Sequence, residues 1–293
     1  MIKRLTIIGV GLIGGSLARS LRKAGQVGEV VGCGRGRPNL DRAVELGVVD
    51  RYSHDPVEAV QGADMVFLAV PLGAMAGILK MIGPALAENA VVTDGGSVKG
   101  SVVRDAQKVF GRMPPWLVPG HPIAGTENSG VEASFAELYQ NRRVILTPTA
   151  ATDAAAHERV KAMWHACGAE VVSMDVAHHD QVLAATSHLP HMLAFSLVDA
   201  LARMKENDEI FRYAAGGFRD FTRIASSNPV MWRDICVANR GELRSMLKRF
   251  ADELHVLADA LDEEDGGEQL LKIFERAKAA RDRYIDGVEV KED

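Results

Sequence analysis

The run Gly9-Val10-Gly11-Leu12-Ile13-Gly14 constrains this chain more than any other stretch. It follows an apolar segment, Leu5-Thr6-Ile7-Ile8, and opens one of helical character from Leu12 to Ala24. Glycines at this spacing permit a tight strand-to-helix turn, close approach of a ligand to the backbone, and close packing of helix on strand. The helix N-terminus behind them offers unpaired N–H groups and the positive end of a dipole, which suit a pyrophosphate. The expectation is therefore a strand–loop–helix unit that binds a dinucleotide through Gly9, Gly11, Leu12, Ile13 and Gly14.

The rest of the first half repeats the pattern. Val30-Val31, Met65 to Val70, Ala90 to Thr93 and Arg143 to Leu146 are further apolar strand candidates with helix-like stretches between them. Continuous apolar strands alternating with helices indicate a mainly parallel sheet covered on both faces, a doubly wound α/β fold. After Glu170-Val171-Val172 the strand signals fade and amphipathic helices take over, notably Arg240 to Leu261 and Glu268 to Tyr284. The expected division is a dinucleotide-binding domain over 1–172 and an all-helical domain over 173–293. Leu243, Met246, Leu247, Phe250, Leu254, Leu257 and Leu261 recur at helical spacing and are expected to face a core. Asp262 to Asp265 reads as a solvated turn.

Composition narrows the class of function. A net charge of -5 gives no general reason to bind nucleic acid or an anionic membrane. An anionic substrate must then be held by local cations. Three well-separated cysteines, Cys33, Cys167 and Cys236, argue against a disulfide framework or a thiolate metal site and suit the cytoplasm. The glycines after Leu5 make a poor signal helix, and no apolar stretch is long and glycine-free enough to span a bilayer.

Cofactor choice is read at the end of the second strand. A carboxylate there usually grips the ribose 2′-hydroxyl of NAD. Here Val30-Val31-Gly32-Cys33-Gly34 is followed by Arg35, Gly36 and Arg37. With Gly34 in the carboxylate's place and two guanidinium groups beside it, NADP, or use of both cofactors, is favoured over strict NAD.

Core packing does not explain Gly120-His121-Pro122-Ile123-Ala124-Gly125-Thr126-Glu127-Asn128-Ser129-Gly130, Ser187-His188-Leu189-Pro190-His191, or the cation-bearing Phe218-Arg219-Asp220-Phe221-Thr222-Arg223-Ile224. With GVGLIGGS at the first loop, GSVKG from Gly96 to Gly100, and FRDFTRIASSNPVMW from Phe218 to Trp232, these motifs resemble the prephenate/arogenate (cyclohexadienyl) dehydrogenase family along essentially the whole chain. The resemblance implies a Rossmann-type nucleotide domain, a helical domain that completes the site and a homodimer, and oxidative decarboxylation on the route to tyrosine. Hydride leaves C4 of the substrate ring for the nicotinamide, and CO2 leaves C1 as the ring becomes aromatic. His121 is then the proton acceptor at the C4 hydroxyl, with a pKa near the ordinary imidazole value of about 6.5. Ser97 bridges histidine, hydroxyl and nicotinamide, although its position before Val98-Lys99 also suits a helix N-cap. Arg223 holds the ring carboxylate, His191 and His188 line the substrate site, and Trp232 reaches the partner subunit's site or packs in the core. No metal is expected, since the reaction needs no Lewis acid and Pro190 separates the two histidines.

Two other classes share parts of this pattern. A β-hydroxyacid-type dehydrogenase would use a lysine base from its helical domain, whereas Lys99 belongs to the first domain. A non-catalytic NADP-sensing module would have no use for His121, Ser97 and Arg223 together. The short sequence before the glycine loop and after the last helix leads us to expect neither a fused chorismate mutase nor an appended regulatory domain.

Overall fold

The computed structural model describes residues 1–126, 128–205 and 207–289, so Glu127 of the histidine loop lies outside the described residues. The chain forms two compact units, Met1–Leu243 and Arg244–Asp293.

The first unit runs β1 (Ile2–Ile8), α1 (Leu12–Lys23), β2 (Val27–Cys33), α2 (Arg37–Glu45), β3 (Arg51–Ser53), α3 (Pro56–Ala59), β4 (Met65–Leu68), α4 (Met75–Ile82), β5 (Val91–Asp94), α5 (Lys99–Phe110) and β6 (Leu117–Val118). These strands form one six-stranded parallel sheet in the order β3-β2-β1-β4-β5-β6. The chain reverses its winding between β1 and β4. That switch point opens a crevice at the carboxyl ends of the strands, where ligands bind in such sheets. Most buried residues of β1, β4 and β5 are apolar on both faces because helices cover both, the exceptions being Thr6, Thr93 and Asp94.

Next come β7 (Gly120–Pro122), β8 (Arg143–Leu146), α6 (Ala154–Ala166) and β9 (Glu170–Ser173). Arg143–Leu146, read as another strand of the parallel sheet, instead centres a separate three-stranded sheet, β7-β8-β9, in which β7 and β8 are antiparallel. A short strand is stabilised by whichever neighbour the chain presents, and its apolar run does not encode that neighbour. Trp164 of α6 is fully buried, edge-on to Phe67 and Tyr139 at centroid distances of 5.6 and 5.0 Å, and fastens α6 to the main sheet.

The helical segment of this unit comprises α7 (Val176–Leu183), one π-turn (Ala184–His188), α8 (Leu189–Ala202), α9 (Asn207–Arg212), α10 (Gly216–Thr222), a 3₁₀ turn (Arg223–Ser226) and α11 (Pro229–Ala238). Asp175 caps α7 by accepting from the amides of Ala177 and His178, and Asn228 caps α11 through Met231 N–H. The change from strand to helix comes after β9, at the expected position.

The last helices are α12 (Arg240–Asp262) and α13 (Gly266–Glu289), close to the segments read from periodicity. The stripe on α12 is not core-facing throughout. Leu243 is buried, but Leu254 and Leu261 are 48% and 74% exposed, as is Phe274 of α13 at 57%. Periodicity specifies an apolar face but not what covers it. No helix among the described residues is long and apolar enough to cross a membrane.

Candidate active site

The glycine loop sits at the end of β1 with distinct demands on each glycine. Gly9 has φ +101°, and a Cβ there would lie 2.2 Å from the Ala69 carbonyl oxygen, so both conformation and space require glycine. A Cβ at Gly14 would press on the Gly9 carbonyl and Ile7, which fixes how closely α1 approaches β1. At Gly11 a Cβ would meet no atom within 4 Å. Packing does not demand glycine at that point, and open space over the N-cap of an uncapped helix fits a pyrophosphate. Leu12 and Ile13 supply the first-turn amides. Asn39, missed in the sequence, clamps this loop: its Nδ2 donates to Val10 O at 2.6 Å while its Oδ1 accepts from Val131 N–H.

Beyond β2, Gly34 is half-buried and its carbonyl bonds the exposed His54 ring through Nδ1. A Cβ at Gly34 would make only ordinary contact with Leu40. Arg35 is exposed and has no ion pair among the described residues. Arg37, the first residue of α2, turns toward Asp41 at 3.6 Å, and Asp41 also accepts from Tyr52 O–H. Of the two guanidinium groups, Arg35 is the one left uncommitted.

A buried ion pair joins the Ser97 loop to the His121 strand. Asp94 at the end of β5 accepts from Gly96 N–H at 2.8 Å and from Gly120 N–H at 3.1 Å. Lys99, fully buried, bonds Asp94 and donates to the Gly120 carbonyl at 2.5 Å. The Gly120 peptide is therefore gripped from both ends, immediately before His121. Burial lowers the pKa of the Lys99 ammonium while Asp94 opposes the shift. Removing one member of such a pair strands a buried charge, which makes its geometry stiff.

Ser97 lies half-buried in this loop, but it is not the N-cap. That position is Val98, whose side chain caps nothing. The amides of Lys99 and Gly100 donate instead to the two carboxylate oxygens of Asp180 on α7, both at 2.8 Å. The Ser97 hydroxyl is left free of the capping role that local sequence allowed it.

His121 is buried, with Nδ1 3.0 Å from Nε2 of His179, whose own Nδ1 is 2.8 Å from Asp180. Its pKa is not near 6.5. Burial holds it well below the ordinary imidazole value, and His179, Lys99 and His188 add to the shift. The local sequence carries no sign of those groups, because they arrive from α5, α7 and the π-turn.

His188 is also buried and its pKa is pushed down to about 4, chiefly by burial. Its Nδ1 meets Asn239 Nδ2 at 3.1 Å, and its Nε2 is buried without a partner among the described residues. His191 bonds the Ser187 carbonyl through Nδ1 and stacks on Trp232 at a centroid distance of 3.6 Å. Trp232 is buried within its own chain, packed in the cluster behind β4 and β5. Arg223 is exposed, yet near enough to His191 to help lower its pKa after burial, the larger cause. It has no ion pair among the described residues. The π-turn that carries Ser187 and His188 is a backbone irregularity often found at functional sites.

His179, Asp180, Asn239, Asp94, Lys99 and Asn39 are the site residues that sequence reading missed. The polar run His178-His179-Asp180 behind the Asp175 cap was a visible signal for two of them. Among the described residues, no group of His, Cys, Asp and Glu side chains converges as a metal site.

A parallel sheet with this switch point, this glycine loop and a buried histidine beside it define a Rossmann-type, dinucleotide-dependent oxidoreductase. Residues 17–173 match the family model described as prephenate dehydrogenase, nucleotide-binding domain, and 175–276 that for the prephenate dehydrogenase dimerization domain. The chain belongs to the prephenate dehydrogenase family. It is 40% identical to the cyclohexadienyl dehydrogenase of Zymomonas mobilis over 95% of each chain. It is 35% identical to the prephenate dehydrogenase of Bacillus subtilis over 95% of this chain and 75% of that one. The crystal structure of Aquifex aeolicus prephenate dehydrogenase with hydroxyphenyl propionate and NAD+ superposes with TM-score 0.90 at 38% identity, covering 97% of this chain and 99% of that one. That of Synechocystis arogenate dehydrogenase does so with TM-score 0.80 at 29% identity, covering 96% and 99%.

Proposed function

We propose that this chain is a homodimeric, cytoplasmic dehydrogenase that oxidatively decarboxylates prephenate, arogenate or both, with His121 as proton acceptor. The observation that carries this reading is the buried His121, committed through Nδ1 to His179 and joined to the Ser97 loop by the Asp94–Lys99 pair. Nε2 of His121 is left to accept the C4 hydroxyl. Ser97 steadies that hydroxyl, Arg223 binds the ring carboxylate, and His191, His188 and Trp232 line the ring's surroundings. We place the domain division at 172/173, a reading supported by the ranges of the two family models, 17–173 and 175–276. Exposed apolar residues on α12 and α13 supply surface for a second copy.

Gly9 to Gly14 would hold the dinucleotide, whose nicotinamide would supply the acceptor for the hydride. The C4–H electron pair departs with it, the C1–carboxylate pair enters the ring as CO2 leaves, and the hydroxyl proton held by His121 returns to the phenol oxygen. Aromatisation supplies the driving force, so the protein mainly orients the ring and manages one proton. Absorbance at the reduced-nicotinamide band, with each substrate against each cofactor, tests the reading. No reduction with any pair would refute it.

For the cofactor we favour NADP. Gly34 presents no carboxylate and Arg35 is uncommitted, so a 2′-phosphate meets no like charge next to the ribose. The expected kcat/KM for NADP is at least that for NAD. Gly34→Asp should reverse the order, because the backbone and Leu40 admit the side chain and its charge repels the phosphate. A wild-type preference for NAD of about tenfold or more, some 1.4 kcal/mol, would refute the assignment of Arg35 and leave the activity untouched.

A further inference from the structure

We propose that His179 and Asp180 are positioning residues that lock His121 in the tautomer with its proton on Nδ1 and its lone pair on Nε2. The inference rests on the reading of His121 as proton acceptor and assigns the groups that orient it.

The N-terminus of α5 sets the protonation pattern. The Lys99 and Gly100 amides donate to Asp180 Oδ1 and Oδ2, each at 2.8 Å. Backbone N–H groups only donate, so the carboxylate is held as an acceptor. Those bonds, with one from His179, outweigh burial and keep the Asp180 carboxyl below its usual range. His179 Nδ1, 2.8 Å from Asp180 Oδ1, must then carry a hydrogen. A neutral imidazole has only one N–H. His179 Nε2 is therefore an acceptor, and His121 Nδ1, 3.0 Å away, is the donor to it. Nε2 of His121 is left bare.

The reverse tautomer requires His179 to be protonated on both nitrogens. The groups facing it are Asp180 on α7, Lys99 on α5, Asp94 on β5, His121 on β7 and His188 on the π-turn. Burial lowers its pKa and Lys99 adds to this, while Asp180 and Asp94 oppose without reversing it. His179 therefore rests neutral. When His121 takes up a proton at Nε2, its Nδ1–H···His179···Asp180 chain points negative charge at the new imidazolium, as the aspartate of a catalytic triad does. Asn239 keeps α7 in place by donating to the Asp180 carbonyl at 2.8 Å.

The test pairs a direct reading of the tautomer with two substitutions. Imidazole nitrogen chemical shifts of His121 in the wild-type protein at neutral pH should show Nδ1–H and a bare Nε2. His179→Phe should lower kcat by about 10²-fold, within the 10²–10⁴ that a general base contributes, with KM and cofactor Kd nearly unchanged. His179→Gln should recover most of that loss, since its amide can accept from His121 and donate to Asp180 at once. A purely structural His179 would change stability without moving the His121 tautomer or splitting kcat from KM. An Nε2–H tautomer in the wild type, a wild-type kcat in His179→Phe, or a folded His179→Gln as impaired as His179→Phe would each overturn the proposal. If His179→Phe does not fold, the wild-type spectrum decides alone. Retained turnover in His121→Asn would instead remove the reading of His121 itself, whatever the tautomer.

Discussion

Replacing His121 by asparagine is expected to lower kcat by about 10²–10⁴-fold, the usual contribution of a general base, with the fold and cofactor affinity preserved. The structure explains why asparagine is the informative choice. Its amide nitrogen can stand in for Nδ1 and keep the bond to His179, made at 3.0 Å in the wild type, while nothing replaces Nε2. Burial of the site is retained, so a loss of rate reports the missing acceptor and not a collapsed strand. Cofactor affinity by fluorescence titration and thermal unfolding provide the controls. A variant with more than half the wild-type kcat would remove His121 from the chemistry. The pH profile follows from the same surroundings. The working form is the neutral imidazole, and burial, His179, Lys99 and His188 all hold its pKa down. Activity is therefore retained as pH falls past about 6.5, where a free imidazole would already be protonated. It is lost only as pH drops through the depressed value. An acid limb of kcat/KM centred above that reference, and absent in His121→Asn, would contradict this assignment of the neighbours.

The second large effect is expected at Arg223. Arg223→Ala should raise KM for prephenate by about ten- to a hundred-fold, the range for losing a hydrogen-bonded charge partner, with kcat much less affected. A carboxylate clamp acts equally in ground and transition states, which places its loss in KM. The side chain is exposed, makes no ion pair among the described residues and lies near His191. No interaction of the described fold depends on it, so Tm should hardly move. Arg223→Lys should restore only part of the affinity, since an ammonium cannot make the paired, planar contact of a guanidinium. An unchanged KM would mean that another cation, such as Arg219 in the same segment, binds the carboxylate.

By itself the sequence determined the class of fold and the outline of the site. Gly9 and Gly14 are legible because a positive φ and a close carbonyl leave no other residue possible, and such constraints act over a few adjacent positions. The parallel strands and late helices are legible because each buries its own periodic face. His121, Ser97 and Arg223 are candidates read from motifs, which record local spacing. Tertiary structure alone decided the rest. It moved Arg143–Leu146 into a second sheet, since strand pairing depends on neighbours distant in the chain. It left Ser97 without a capping role and gave the first amides of α5 to Asp180, 81 positions from the Lys99 amide it accepts. It lowered the His121 pKa by burying the ring and by bringing His179, 58 positions away, and Lys99 near it. Desolvation and charge proximity act through space, and no pattern along the chain encodes them.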